Sequence, residues 1–140
     1  MATREKVRLL ASVPLFSELS RRELEAVAGA AKEVTHAAGD VLARQGDRGV
    51  GFFLITDGTA NVTVGDHQRA RLGPGDYFGE IALLDEGPRS ATVTAASDIK
   101  MLGLTAWVFK GLVEQNPSIA LKLLKVLAQR IRDQAEEPTH

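Results

Sequence analysis

Two residues of opposite charge, Glu80 and Arg89, lie close together in the sequence, in a stretch that combines turn residues with a short apolar run. Gly79 precedes the glutamate and permits a backbone conformation that a Cβ would hinder. The run from Glu80 to Leu84 predicts one short helical turn, whose first backbone N–H groups favour an anion. The planar fork of Arg89 fits a phosphate with two hydrogen bonds. Because a glutamate repels phosphate unless it accepts from a hydroxyl, the set predicts a site for a sugar phosphate of low charge.

At these residues the chain resembles the cyclic-nucleotide-binding domain family, of the catabolite activator and protein kinase A regulatory subunit type. The phosphate-binding cassette of that family reads F-G-E-[IL]-A-L-L, a few residues, then P-R-[SAT]-A-T-V. Here Phe78 to Leu84 is followed by three residues and then by Pro88 to Val93, so the motif is matched over about fifteen residues. The resemblance extends from about Leu15 to about Gln134.

The resemblance implies a role for each polar member of the cassette. Glu80 would bind the ribose 2′-hydroxyl, Arg89 the cyclic phosphate, and Ser90 would add a hydroxyl near the phosphate or the base. It also implies backbone N–H donors from Gly79, Ile81 and Ala82. The alternative interpretation is an ion pair between Glu80 and Arg89 that only holds a loop in place, although buried pairs of that kind are weak sources of stability.

Composition narrows the class of protein. A formal net charge of −1 gives no sign of a nucleic-acid or anionic-membrane surface, and the absence of cysteine excludes disulfides, thiolate metal sites and a cysteine nucleophile. The three histidines are scattered, and no nucleophile–base motif is visible, so neither an enzyme nor a metal or other cofactor is expected. There is no apolar run long enough to span a membrane and no signal peptide, which predicts a cytoplasmic protein.

The periodicity of apolar residues predicts a mainly β fold with flanking helices, namely an eight-stranded β jelly roll with an N-terminal helical pair and C-terminal helices. A chain of 140 residues suits one domain. Its expected parts are the N-terminal helices at 1–32, the roll at 33–104 with the cassette at 78–92, and the C-terminal helices at 105–135. No DNA-binding segment is expected to follow.

Local signals mark several of the expected turns and helix ends. Ser20 to Glu23 is a capping box that starts the second helix. Asp57-Gly58, between two apolar alternating runs, is the strongest two-residue hairpin signal in the chain. Thr105 is expected to cap the helix that follows the roll, and Asn116 to cap the last helix, with Pro117 as its first residue.

Two further sets of residues are candidates for ligand contact. The first could face the interior of the roll as pocket lining or as ordinary core, and consists of Phe52, Leu54, Val62, Val64, Leu72 and Val93. The second lies within the apolar arc of the last helix, where Arg130 and Gln134 either contact the nucleotide or extend from the edge of that face. The apolar arc spans more than half of the helix circumference, which predicts a second buried contact with a partner helix or a further domain.

The favoured function is therefore a regulatory domain that binds a cyclic purine nucleotide and signals through movement of the flanking helices. Adenosine 3′,5′-monophosphate (cyclic AMP) is the expected ligand, with the guanosine form (cyclic GMP) possible because Ser90 can donate a hydrogen bond as threonine does in guanosine-preferring relatives. The alternative is a roll used without nucleotide, as a dimerisation or protein-interaction module. The expected partners are the nucleotide and, through the last helix, a second copy or an effector domain, with no nucleic acid or membrane.

Overall fold

The computed structural model describes residues 1–49 and 51–135. It contains two compact units: a helical unit, made of Met1–Gly29 together with residues 111–135, and a β-unit, Ala30–Lys110. Across the residues described, no helix has the length and apolar character needed to cross a membrane.

Eight strands in two antiparallel sheets make up the β-unit. One sheet has the strand order β1-β8-β3-β6 and the other β2-β7-β4-β5. The strands are β1 (Lys32–His36), β2 (Val41–Ala43), β3 (Gly51–Asp57), β4 (Ala60–Val64), β5 (His67–Leu72), β6 (Tyr77–Phe78), β7 (Thr92–Ala95) and β8 (Ile99–Thr105). The predicted eight-stranded jelly roll is confirmed. Apolar side chains alternate with others along β4, β7 and β8, whereas β5 is mostly polar and exposed.

The inter-sheet core of the β-unit is formed by side chains that alternate along the strands. Its fully or largely buried members are Ala43, Ile55, Ala60, Val93, Ala95, Ile99 and Met101, and Val34, Leu42, Phe53, Val62, Leu72 and Phe78 pack against them. The side chains of β3 that belong to this core are those of Phe53 and Ile55. Because side chains alternate along a strand, those of Phe52 and Leu54, which are also buried, lie on its opposite face. The expectation of an interior position was therefore wrong for Phe52 and Leu54.

The Asp57-Gly58 turn does not make the predicted hairpin. It leads from β3 in one sheet to β4 in the other, while the hairpin partner of β4 is β5. Gly58 has φ +90°, and a Cβ there would overlap the backbone carbonyl of Asp98. The sequence signal correctly reported a tight turn with positive φ, but the pairing of the flanking strands was decided by the alternation of their apolar residues.

Outside the strands, the described residues form four α-helices and two short 3₁₀ turns, the second of which, Ile81–Leu83, lies in the cassette. The helices and the first 3₁₀ turn are α1 (Thr3–Ala11), the turn Pro14–Phe16, α2 (Arg21–Ala30), α3 (Ala106–Gln115) and α4 (Pro117–Gln134). The backbone N–H of Val108 donates to Thr105 Oγ1 over 3.2 Å, which confirms that cap. Helix α4 begins after Asn116 as predicted, but the Asn116 amide donates to the Leu112 carbonyl over 3.0 Å instead of capping α4.

The capping box at the start of α2 is confirmed and carries a larger network. The Glu23 N–H donates to Ser20 Oγ over 3.2 Å, and the Ser20 N–H donates to Glu23 Oε1 over 2.8 Å. From α4, Ser118 Oγ donates to Glu23 Oε2 over 2.5 Å and Lys122 forms an ion pair with the same carboxylate. The hydrogen bond from Lys122, followed by that from Ser118, lowers the pKa of Glu23 to about 2. Glu23 thus joins α2 to α4 as a largely buried carboxylate.

We expect this network to make the stability of the protein sensitive to acid. The pKa of Glu23 is lowered from 4.5 to about 2 on folding. The contribution of its carboxylate to the free energy of unfolding is therefore complete above pH 4.5 and is lost as the pH falls towards 2. Glu23→Gln should lower the free energy of unfolding at pH 7 by about 2 kcal/mol, the usual size for a hydrogen bond to a charged group. Urea unfolding of both proteins between pH 7 and pH 2.5 should show this difference shrinking, and a difference independent of pH would contradict the prediction.

Candidate functional site

The site begins where β6 ends. Gly79 follows Phe78 with φ +82°, and a Cβ at this position would overlap both the Gly51 carbonyl oxygen and Arg89 Nη1. Glycine is therefore required for its backbone conformation and for space. A single 3₁₀ turn, Ile81–Leu83, follows, as expected for a helical run too short to propagate.

The second half of the cassette is held by a loop that precedes β3. We call residues 86–90 the cassette arm and residues 44–49 the support loop. The two segments pair as a short antiparallel ladder, in which Arg89 N–H donates to the Asp47 carbonyl over 2.7 Å and Gly49 N–H donates to the Gly87 carbonyl over 3.0 Å. Gly46 N–H donates to the Arg89 carbonyl over 2.9 Å, so Arg89 is bonded on both sides of its backbone.

An exposed ion pair lies beside this ladder. The guanidinium of Arg48, in the support loop, contacts the carboxylate of Glu86, in the cassette arm. The Arg48 side chain is 70% exposed, and pairs of this kind contribute about 0–1 kcal/mol. The backbone hydrogen bonds therefore hold the arm more than the ion pair does.

The Arg89 side chain is half-buried and lies against the backbone of β3. Its Nη2 donates to the Gly51 carbonyl oxygen over 2.8 Å. Partial burial lowers the pKa of the guanidinium, which nevertheless stays charged at neutral pH. Within the described residues this side chain makes no ion pair with Glu80, so the two charges do not neutralise each other.

Glu80 and Arg89 share one open cavity of about 550 Å³, a volume within the usual range for small-molecule sites. All six cassette residues predicted to bind ligand line it, namely Gly79, Glu80, Ile81, Ala82, Arg89 and Ser90. The other lining residues are Tyr77, Phe78, Asp85, Gly87 and Pro88. Oε2 of Glu80 is shielded from solvent, whereas Ser90 is exposed at the rim. The Ala82 N–H donates to the Gly79 carbonyl over 3.1 Å within the turn, so a ligand would compete for that donor.

Two residues predicted to bind ligand lie elsewhere. Val62 is on β4 and packs against the inter-sheet core, outside the lining of the cavity. Arg130 lies on α4 in the helical unit, where it lines a groove with Glu18 and Asp133. A contact from either residue to a ligand stays a prediction.

Sequence reasoning missed the support loop and the contribution of Gly51. The loop carries no side chain of evident chemistry that faces the cavity, because its contribution is made by backbone groups. The signal that was available is the recurrence of glycine at positions 46, 49 and 51, the last of which is the first residue of the buried strand β3. Glycine at such positions often marks a close approach of another part of the chain.

Comparison with known proteins identifies the family to which the β-unit is similar. Residues 33–116 match the family described as "Cyclic nucleotide-binding domain". Among curated proteins, a cyclic nucleotide-gated potassium channel of Rhizobium etli is 38% identical over 123 residues, which cover 88% of this chain and 34% of the channel. The chain thus spans about a third of the length of that relative.

Solved structures agree with the observed fold. The N-terminal domain of a transcriptional regulator from Streptomyces coelicolor A3(2) superposes with a TM-score of 0.85 at 30% identity, covering 94% of this chain and 98% of that one. The regulatory domain of Toxoplasma gondii PKA, crystallised with cAMP, superposes with a TM-score of 0.72 at 26% identity, covering 94% of this chain and 50% of that one. With the cassette, the cavity and the jelly roll in place, the chain belongs to the cyclic nucleotide-binding domain family.

Proposed function

We propose that this chain is a cytoplasmic regulatory domain that binds cyclic AMP and transmits binding through the helices flanking the roll. The observation that carries the proposal is one cavity lined by an unneutralised guanidinium, Arg89, and by a carboxylate, Glu80. A cyclic nucleotide supplies the complement to both, since it has a phosphate of single negative charge and a ribose hydroxyl. The family that the chain matches is a cyclic nucleotide-binding domain, which supports a binding role for this pair of side chains.

The phosphate would bind Arg89, and the ribose 2′-hydroxyl would donate to Glu80. Arg89 lines the cavity and has further guanidinium N–H donors besides the one that bonds to Gly51. A charge-assisted bond from them to phosphate is among the stronger polar contacts in proteins. Backbone N–H groups of Gly79, Ile81 and Ala82 would add donors, with that of Ala82 released from the turn.

The choice of base depends on the rim of the cavity. Ser90 is exposed there, and its hydroxyl could accept from an adenine amine or donate to a guanine carbonyl. We favour cyclic AMP because the T. gondii domain, a structural neighbour, was crystallised with it, and we keep cyclic GMP as a second ligand.

Transmission to the helices requires differential affinity. A ligand shifts an equilibrium between two helix arrangements only by as much as its affinities for them differ. We therefore propose that α3 and α4 move on binding, and that the two helix arrangements bind the nucleotide with measurably different affinities.

Thermal unfolding in the presence of ligand tests the proposal. A ligand that binds only the native state stabilises it by about 2.7 kcal/mol at a hundred times its Kd. We expect millimolar cyclic AMP to raise Tm by several degrees, cyclic GMP to raise it less, and uncyclised adenosine monophosphate, with its extra negative charge, to have little effect. Absence of any shift with either cyclic nucleotide would overturn the proposal.

The role of Glu80 can be tested separately. Glu80→Gln should weaken cyclic AMP binding by only about fivefold, because an amide oxygen still accepts from the ribose hydroxyl although the charge is lost. The same change should leave the affinity for the 2′-deoxy analogue almost unaltered. Calorimetric titrations of both ligands measure this, and equal losses would contradict the ribose assignment.

The surface of α4 favours a second candidate function, association with a second copy of this chain. Leu121, Leu124 and Ile131 are 70%, 63% and 69% exposed, and Ala128 between them is exposed as well. Their 3-4-3 spacing is that of a coiled-coil seam, which is complementary to the same seam on another helix.

Sedimentation measurements separate this function from that of a monomeric sensor. A dimer should form at micromolar concentration and be lost in Leu124→Lys, but not in Gln129→Lys on the polar side of the same helix. A dimer that persists in Leu124→Lys, or a monomeric wild type, would exclude this seam as the interface. Dimerisation without any thermal shift by cyclic nucleotide would favour the interaction module over the sensor.

A further inference from the structure

Gly49, in the support loop, lies directly beneath the side chain of Arg89. A Cβ built on Gly49 would lie 3.0 Å from Arg89 Nε and 3.2 Å from Arg89 Cδ. It would also lie 3.2 Å from the Cβ of Ala82, in the first turn of the cassette. Gly49 is buried, and its φ lies outside the left-handed region, so its backbone conformation is one that alanine can adopt. Glycine is present at this position for space.

The guanidinium of Arg89 is bounded by three backbone segments. Nη2 donates to the Gly51 carbonyl over 2.8 Å, Nη1 lies over Gly79, and the Nε–Cδ edge lies over Gly49. We call Gly49, Gly51 and Gly79 the glycine floor. Two of its members, Gly49 and Gly79, lie where an added Cβ would press on a different edge of the same guanidinium.

The support loop cannot easily move away from an added methyl group. Gly49 N–H is bonded to the Gly87 carbonyl over 3.0 Å, and the neighbouring Asp47 carbonyl accepts from Arg89 N–H over 2.7 Å. The backbones of the loop and of the cassette arm are therefore fixed to each other. A methyl group at Gly49 would displace the flexible part of the contact, which is the Arg89 side chain.

We infer that Gly49 is a positioning residue of the nucleotide site, which acts by setting where Arg89 presents its guanidinium to the cyclic phosphate. The inference rests on the proposed function of the cavity and extends it to a residue outside the cassette and outside the lining of the cavity. Gly49 itself contacts no ligand, so its effect on binding must pass through Arg89.

The matched pair of variants is Gly49→Ala and Gly73→Ala. Neither glycine has a positive φ, and an added Cβ at Gly73 meets no atom within 4 Å. Calorimetry with cyclic AMP should show an affinity about tenfold weaker for Gly49→Ala, the size expected for one overpacked methyl group, and an unchanged affinity for Gly73→Ala. Wild-type affinity in Gly49→Ala would overturn the inference while leaving the proposed function intact.

A mutant cycle separates positioning from general damage to the fold. In the Arg89→Ala background, measured by NMR titration at millimolar nucleotide, Gly49→Ala should change the affinity by less than about twofold, because the displaced group is gone. A loss of the same size in both backgrounds would show that Gly49 acts through the fold or through Ala82, and would overturn the inference.

A ligand-free measurement keeps the inference testable on its own. The Nε–H resonance of Arg89 should move in Gly49→Ala and stay in place in Gly73→Ala, without any nucleotide present. If wild type bound no cyclic nucleotide but this resonance moved as described, the proposed function would fail and the positioning of Arg89 would stand. An unmoved resonance would overturn the positioning.

Discussion

Arg89→Ala should weaken the binding of cyclic AMP by about a hundredfold or more. Truncating one partner of a desolvated, hydrogen-bonded charge pair typically costs about 2–5 kcal/mol, and each 1.4 kcal/mol is a factor of ten in affinity. Arg89 is half-buried and already aligned by the Gly51 carbonyl, so little of its contribution would be lost to solvent screening. Isothermal titration of both proteins with cyclic AMP measures the loss.

The control for this variant is Arg71→Ala. Arg71 is an exposed residue of β5 and does not line the cavity, so its removal should leave the affinity unchanged. In the absence of ligand, Arg89→Ala should lower the free energy of unfolding by only about 1 kcal/mol, the cost of one hydrogen bond to Gly51. Equal affinities of Arg89→Ala and wild type would remove the phosphate role of this residue.

Gly79→Ala should have the second largest effect, on binding and stability together. A non-glycine residue with positive φ costs about 1–2 kcal/mol, and the added Cβ would also overlap the Gly51 carbonyl and Arg89 Nη1. We expect a Tm lowered by several degrees and an affinity for cyclic AMP weakened more than about tenfold. Differential scanning fluorimetry and calorimetry on the same samples give both quantities.

Gly75→Ala supplies the comparison that isolates the overlap. Gly75 has φ +91°, close to the +82° of Gly79, but an added Cβ there meets no atom within 4 Å. It should therefore show the backbone penalty in Tm with little change in affinity. If both variants lost affinity equally, backbone strain alone would account for the effect of Gly79→Ala, and the close packing against Arg89 would be irrelevant to binding.

Features that depend on nearby residues were predictable from the sequence. The capping box from Ser20 to Glu23 needs only four residues in the right order, and its reciprocal hydrogen bonds are both present. Strands such as β4, β7 and β8 follow from alternation over short windows, and the cassette follows from a motif that specifies nearly every position. In each case the residues that determine the local conformation lie within the segment itself.

Features that depend on distant pairing were not predictable in the same way. Asp57-Gly58 has the composition of a hairpin turn, yet β3 and β4 belong to different sheets. β3 pairs with β6 and β8, farther along the chain, while β4 pairs with β5 and β7. The support loop contacts Arg89, which lies about forty residues later in the sequence, through backbone N–H and carbonyl groups, and every residue type except proline carries both. From the sequence alone, glycine at position 49 would indicate only a flexible loop. In the structure it leaves space for the side chain of Arg89.

The hydrogen bond from Arg89 to the Gly51 carbonyl has a consequence for the speed and strength of ligand capture. A long side chain that is immobilised only on binding costs about 0.5–1.5 kcal/mol in rotamer entropy. Here that ordering accompanies folding, so a phosphate arriving from solution encounters a donor group already fixed in place. Nucleotide association should then resemble docking to a rigid receptor, with little rearrangement of the arginine after the encounter.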